Sequence, residues 1–113
     1  MNDIDPKNLE TILTEIRDQA DGENIRVTQH AHQEMTEEDI TLDQVLEAIA
    51  TGQILENYPE HQRGTCCLLY GRTRSHRPLH IVCTTTQPIL IIITVYEPKP
   101  PKWITPTQRR PKS

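Results

Sequence analysis

Along the first fifty residues the apolar positions recur at helical spacing, and after Gly52 they switch to strand-like runs. Leu9, Ile12, Leu13 and Ile16 fall at i, i+3, i+4, i+7 and predict an amphipathic helix over 6–20. Asp5 is placed to cap it, Pro6 fits its first position, and Asp21-Gly22 closes it. A shorter helix is predicted over 28–38, with Thr28 as cap, Ala31 and Met35 on one face and Ile40 just beyond. Thr41 followed by Gln44 is a capping-box pattern, and Leu42, Val45, Leu46 and Ile49 form the stripe of a third helix over 42–51. Gly52 is a good stop.

Four extended segments follow: 53–58, 65–72, 78–85 and 89–97, separated by polar, Gly- or Pro-containing turns. Short connections favour antiparallel neighbours, so 53–97 reads as a meander. The predicted fold class is α+β, with N-terminal helices packed on one face of a C-terminal antiparallel β-meander. Counting outward from the turns places Tyr70, Arg72, His80, Thr94 and Tyr96 on one sheet face, open to solvent. Leu69, Leu79, Ile81, Ile91, Ile93 and Val95 then lie on the helix-covered face. Pro98, Pro100, Pro101, Pro106 and Pro111 end the sheet. Trp103 and Ile104 anchor the start of this segment, so the domain is bounded at 1–104. Residues 105–113 read as a disordered, basic, Pro-rich tail.

The net charge of −4 over 113 residues hides a segregation. Residues 1–60 hold fifteen acids against Lys7, Arg17 and Arg26, a net of −12, and residues 61–113 hold nine bases against Glu97, a net of +8. The basic half points to phosphates or an acidic partner. No apolar run approaches the roughly 20 residues of a membrane span, and the first ten residues are polar, unlike a signal peptide. No membrane role is expected, and the cytoplasm is the expected location. Cys66, Cys67 and Cys83 do not make a disulfide framework and read as buried strand residues. There is no CxxC or HExxH spacing, and His30 and His32 point to different sides of a helix, so no metal site and no cofactor are expected.

The chemistry that stands out is the row of tyrosines, histidine and arginine on the predicted open face. A histidine can move protons near neutral pH, an arginine can grip a phosphate, and a tyrosine can stack on a base or relay a proton. Together they suit metal-free RNA cleavage, in which the ribose 2′-hydroxyl attacks the adjacent phosphate. The opposing reading makes the tyrosines ordinary sheet-surface residues and His80 a solvated one.

The order and spacing of several short elements resemble a known family. They are His30-Ala31 followed by Met35 and Ile40; Val45 through Gly52-Gln53-Ile54-Leu55-Glu56-Asn57-Tyr58-Pro59; Arg63-Gly64; Gly71; Arg77-Pro78-Leu79-His80-Ile81-Val82; and Ile93-Thr94-Val95-Tyr96-Glu97-Pro98 with Trp103. Over 28–103 this is similar to the domain of unknown function 4258, grouped with the RelE/ParE-like toxins and similar to BrnT toxins. The resemblance implies a RelE-like fold and the toxin of a type II toxin–antitoxin pair, an endoribonuclease acting on mRNA. The partners it implies are RNA, in association with the ribosome, and a cognate antitoxin of the zinc-finger YgiT/MqsA kind. Laid on this chain, it makes His80, Tyr96 and His30 the catalytic candidates, and Arg72, Arg77, Tyr70 and Arg63 the RNA contacts. One departure stands against it: where the family commonly reads His-Ala-Arg-Glu-Arg-Met, this chain has His30-Ala31-His32-Gln33-Glu34-Met35, without either arginine. The alternative is a non-catalytic, toxin-like interaction module that binds a protein partner.

Overall fold

The structure, a computed structural model, describes residues 6–22, 24–58, 66–84 and 88–111. Its elements in chain order are α1 (Pro6–Asp21), β1 (Ile25–Val27), α2 (Gln29–Glu37), α3 (Leu42–Thr51), β2 (Gln53–Tyr58), β3 (Cys66–Arg72), β4 (Pro78–Thr84), β5 (Leu90–Tyr96), β6 (Trp103–Thr105) and β7 (Gln108–Arg109). The three predicted helices and four predicted strands are all present, and the fold is α+β. The Asp5 cap lies outside the described residues.

The local signals act as their chemistry requires. In α3 the Thr41 hydroxyl accepts from the Gln44 backbone N–H at 3.1 Å, and the Gln44 side chain accepts from the Thr41 N–H at 2.9 Å. Two otherwise orphaned donors are thereby satisfied. Thr28 caps α2 by accepting from Ala31 N–H at 3.1 Å, and its hydroxyl donates to the Ile93 carbonyl at 3.1 Å, tying the helix start to β5.

The main sheet has strand order β1-β5-β4-β3-β2, and β2 to β5 form the expected antiparallel meander. The expectation of a wholly antiparallel sheet needs one correction: β1 joins the outer edge of β5 in parallel, so the sheet is mixed. Ile25-Arg26-Val27 is too short to show a period. A second correction comes from a bulge. Val82 pairs with Thr94 but Cys83 pairs with Ile92, leaving Ile93 as the extra residue. The phase of β5 therefore shifts, and Leu90, Ile92 and Val95 enter the helix-side core in place of the Ile91, Ile93, Val95 set. Ile93 is half-buried, and Ile91 is buried but outside that core cluster.

The core lies between the helices and the sheet: Ile16, Val45, Ala48 and Ile49 meet Leu69, Leu79, Ile81, Cys83, Leu90, Ile92 and Val95, all at most 1% exposed. Each fully buried Ile, Leu or Val there contributes roughly 1.5–3 kcal/mol. The approach of α3 to the sheet is close enough to demand a glycine: a Cβ on Gly71 would sit 1.8 Å from the Ala48 carbonyl oxygen.

Helix α2 adds Ala31 and Met35 to this core and also guards the edge of the sheet. β1 covers β5 only to Ile92. Beyond it, the Val95 N–H donates to the Glu34 carboxylate and the Glu97 N–H to the Glu38 carboxylate, each at 3.0 Å. A helical i, i+4 acidic pair thus satisfies two backbone donors of an otherwise free edge, which discourages edge-to-edge pairing. Burial pushes the Glu34 carboxyl above its ordinary value, against the lowering effect of that bond. The acidic cluster at the C-terminal end of α2 is balanced by Arg77. Its guanidinium donates to the carbonyls of Glu38 (2.6 Å) and Asp39 (2.9 Å) and to the Glu97 carboxylate (2.8 Å). A cation on the last carbonyls of a helix is where the dipole favours one.

Candidate functional site

On the sheet face away from the helices, backbone register puts Tyr70 opposite His80 and His80 opposite Tyr96, as counting from the turns predicts. The rings meet edge to face, 6.1 Å from Tyr70 to His80 and 5.2 Å from His80 to Tyr96. The face is not open, however. Residues 105–109, read from the sequence as part of a disordered tail, belong to the β6–β7 hairpin, which folds over the row. Trp103 is buried and stands perpendicular to the His80 ring, 4.3 Å between centroids. His80 is 0% exposed rather than solvated.

Both imidazole nitrogens are engaged. Nε2 lies 2.6 Å from the Pro106 carbonyl oxygen and Nδ1 lies 3.1 Å from the Tyr96 hydroxyl. A carbonyl oxygen can only accept, so Nε2 carries the proton, and the bare Nδ1 accepts from the Tyr96 O–H. Burial pushes the His80 pKa below its ordinary value, although the Pro106 bond works the other way. The ring is therefore neutral at neutral pH. Burial also raises the Tyr96 pKa, so this phenol keeps its proton. The Trp103 indole N–H lies near enough to the Tyr96 oxygen to oppose that rise, yet outside hydrogen-bond geometry, and is buried without a bond of its own.

Arg109 fastens the hairpin. Its guanidinium lies 4.6 Å over the Trp103 ring and makes a two-pronged bond to Glu56, at 2.7 and 3.0 Å. Glu56 also accepts from the Tyr58 hydroxyl. The Arg109 bond holds the Glu56 carboxyl below its ordinary value.

Beside Tyr70 the surface opens into a groove of about 460 Å³, lined by Thr51, Gln53, Tyr70, Arg72, Arg74 and His76 among others, with no carboxylate in its lining. Arg72 is oriented by its Nε, which donates to the Tyr70 hydroxyl at 2.7 Å. Arg74 is 90% exposed, with Glu47 at 3.8 Å. His76 has φ 68°, in the left-handed region that a residue with a side chain enters at a cost.

Of the seven residues singled out in the sequence, His80, Tyr96 and Tyr70 are brought together, with Arg72 at their border. Arg77 is not with them: it is occupied by Glu97 and the end of α2. His30 sits on α2 with its side chain 66% exposed, paired with Glu34 at 3.4 Å and apart from the His80 row. Arg63 lies outside the described residues. Sequence reasoning missed Arg109, Glu56 and Pro106. Only the single Trp in so basic a tail gave a signal that the tail docks. Cys66, Cys67 and Cys83 are buried and form no disulfide, and burial pushes the Cys67 thiol up to about 11, so it is inert at neutral pH. Among the described residues, no helix is long and apolar enough to cross a membrane.

Compared with known proteins, residues 27–97 match the family model described as Domain of unknown function (DUF4258). No curated protein matches, and no solved structure does.

Proposed function

The chain belongs to the DUF4258 family, and on that premise we propose that it is the toxin of a type II toxin–antitoxin pair, an endoribonuclease that cuts mRNA by 2′-hydroxyl attack using side-chain chemistry alone. The observation that carries this reading is the His80–Tyr96 hydrogen bond of 3.1 Å, set next to a carboxylate-free basic groove that begins at Tyr70.

A neutral imidazole is the form that takes a proton, and with the hairpin in place burial holds His80 in that form. In the working tautomer Nδ1–H donates to the Tyr96 oxygen and Nε2 is bare. Nε2 takes the 2′-hydroxyl proton as O2′ bonds to phosphorus. The P–O5′ bond breaks, and His80 returns that proton to O5′. The products are a 2′,3′-cyclic phosphate and a 5′-hydroxyl, so every proton is accounted for. Tyr96 orients the ring and stays protonated. Arg72 and Arg74 neutralise phosphate charge, and Tyr70 offers a face for a base. Arg77 and His30 have no part in this scheme. A cognate antitoxin and the ribosome remain the proposed partners, on the family resemblance.

The test compares wild type with His80→Asn, which keeps a polar side chain in the buried slot. Single-stranded RNA is offered with and without ribosomes, and growth is followed on induced expression alone and with the neighbouring gene. The substitution should remove about 10²–10⁴-fold of the cleavage rate, a usual acid–base contribution, with the fold intact by circular dichroism. Equal rates in the two proteins, or no cleavage and no growth arrest by the wild type, would sink the assignment.

One observation favours a second reading, the interaction module: His80 is fully buried with both nitrogens bonded inside the chain, as a structural histidine is. On that reading His80→Asn lowers stability, and partner binding survives wherever the fold does.

A further inference from the structure

We propose that the β6–β7 hairpin is an inhibitory strap over His80 that RNA displaces. This rests on the ribonuclease reading of the His80 site and adds its regulation. The Pro106 carbonyl sits 2.6 Å from His80 Nε2, the position the 2′-hydroxyl must reach. It blocks that position twice. It occupies the space, and by accepting the Nε2 proton it holds the ring in the tautomer that has no lone pair there.

The fastening is strong enough to close and built to open. The hairpin forms its own two-stranded sheet and has no ladder with the main one. Of residues 101–110 only Trp103 is buried and Pro106 half-buried; the rest are exposed. Among the described residues, Trp103 on His80, Pro106 on His80 and Arg109 on Glu56 hold it to the face. The strap is also basic. Lys99, Lys102, Arg109 and Arg110 lie on or beside it, and among the described residues its charged anchor on the body is Glu56. RNA phosphates compete with that carboxylate for Arg109 and convert the fastening into a substrate contact. The Tyr70–Arg72 groove stays open while the strap is closed, so RNA has a place to dock before His80 is uncovered.

Trp103 is the chain's single tryptophan, so its emission reports the strap alone. The experiment titrates the full chain with a 2′-O-methyl oligoribonucleotide, which binds but cannot be cut. Trp103 emission should shift to the red and its quenching by acrylamide should rise as RNA saturates. Without RNA, Glu56→Gln and Arg109→Ala should each show part of that change. Diethylpyrocarbonate modification of His80, mapped by peptide mass, should rise about two- to fivefold in both variants, the range expected from losing one partly exposed ion pair. An oligonucleotide that leaves Trp103 as protected as before, or fails to bind, overturns the strap. So does His80 modification unchanged in both folded variants. The two readings separate cleanly: a strap that opens without any cleavage removes the ribonuclease and keeps the strap, and cleavage with Trp103 protected throughout does the reverse.

Discussion

The bulge in β5 lets one strand serve both the core and the His80 face, and a pair of neighbouring substitutions reads it out. Downstream of the bulge, Tyr96 and Thr94 share His80's face; upstream, Leu90 and Ile92 point into the helix-side core. Ile92 is 0% exposed, so Ile92→Ala should cost about 2–5 kcal/mol in lost burial and residual cavity. Ile93, the extra residue, is half-buried and lies outside the core cluster, so Ile93→Ala should cost roughly 1 kcal/mol or less. With a urea m-value of roughly 1.5 kcal/mol per M for a chain of this size, a loss of about 3 kcal/mol lowers the midpoint by about 2 M. Urea titration followed by circular dichroism at neutral pH measures both. A larger loss for Ile93→Ala than for Ile92→Ala would mean the strand runs without the bulge. Tyr96 and His80 could then not share a face with the core packed as described.

Arg77→Ala should act on stability and leave RNA affinity alone, because it strips Glu97 of its partner and two helix-end carbonyls of their donor; a loss of about 1–3 kcal/mol in urea titration is expected. Stability should also fall with acid through His80. Its folded pKa lies below the ordinary value, so as pH drops below about 6.5 the unfolded chain takes up a proton that the folded chain refuses. The contribution is fully present above pH 6.5 and declines toward the depressed pKa, with a slope of at most about 1.4 kcal/mol per pH unit. Urea midpoints between pH 4 and 7.5 measure it, and His80→Asn should flatten the slope. Replacing Arg72 and Arg74 together by Ala should weaken RNA binding and reduce the salt slope, log Kd against log salt, by about 1.4 for two lost contacts; an unchanged slope would remove the groove from the RNA path.

The helices and the four meander strands were legible because their cues are local. Thr41 and Gln44 are three residues apart, and Leu9 to Ile16 mark a stripe within two turns. The Tyr70–His80–Tyr96 row was legible for the same reason, since short hairpins fix register by counting. What failed was long-range or unpatterned. Leu90-Ile91-Ile92-Ile93 is apolar at every position, so nothing in it reveals which phase faces the core. Three residues of β1 carry no period. The placement of Arg77 at the end of α2 had no local sign, because its partners Glu38 and Asp39 lie 39 and 38 residues away. The hairpin read as a tail because prolines and arginines dominate it, and Arg109 meets Glu56 across 53 residues. Glu34, whose carboxylate closes the edge of β5 at Val95, was equally unreadable, since the two lie 61 residues apart.

Identification of the RNA ends tests the central claim most directly. A single-stranded RNA is incubated with the Glu56→Gln protein in EDTA, and the fragments are weighed by mass spectrometry. Attack by the 2′-hydroxyl predicts 2′,3′-cyclic phosphate and 5′-hydroxyl ends, no cutting where the 2′-oxygen is methylated, and loss of cutting in the Glu56→Gln, His80→Asn double variant. Fragments bearing 5′-phosphate ends, cleavage that survives 2′-O-methylation, or intact RNA in every case would contradict it.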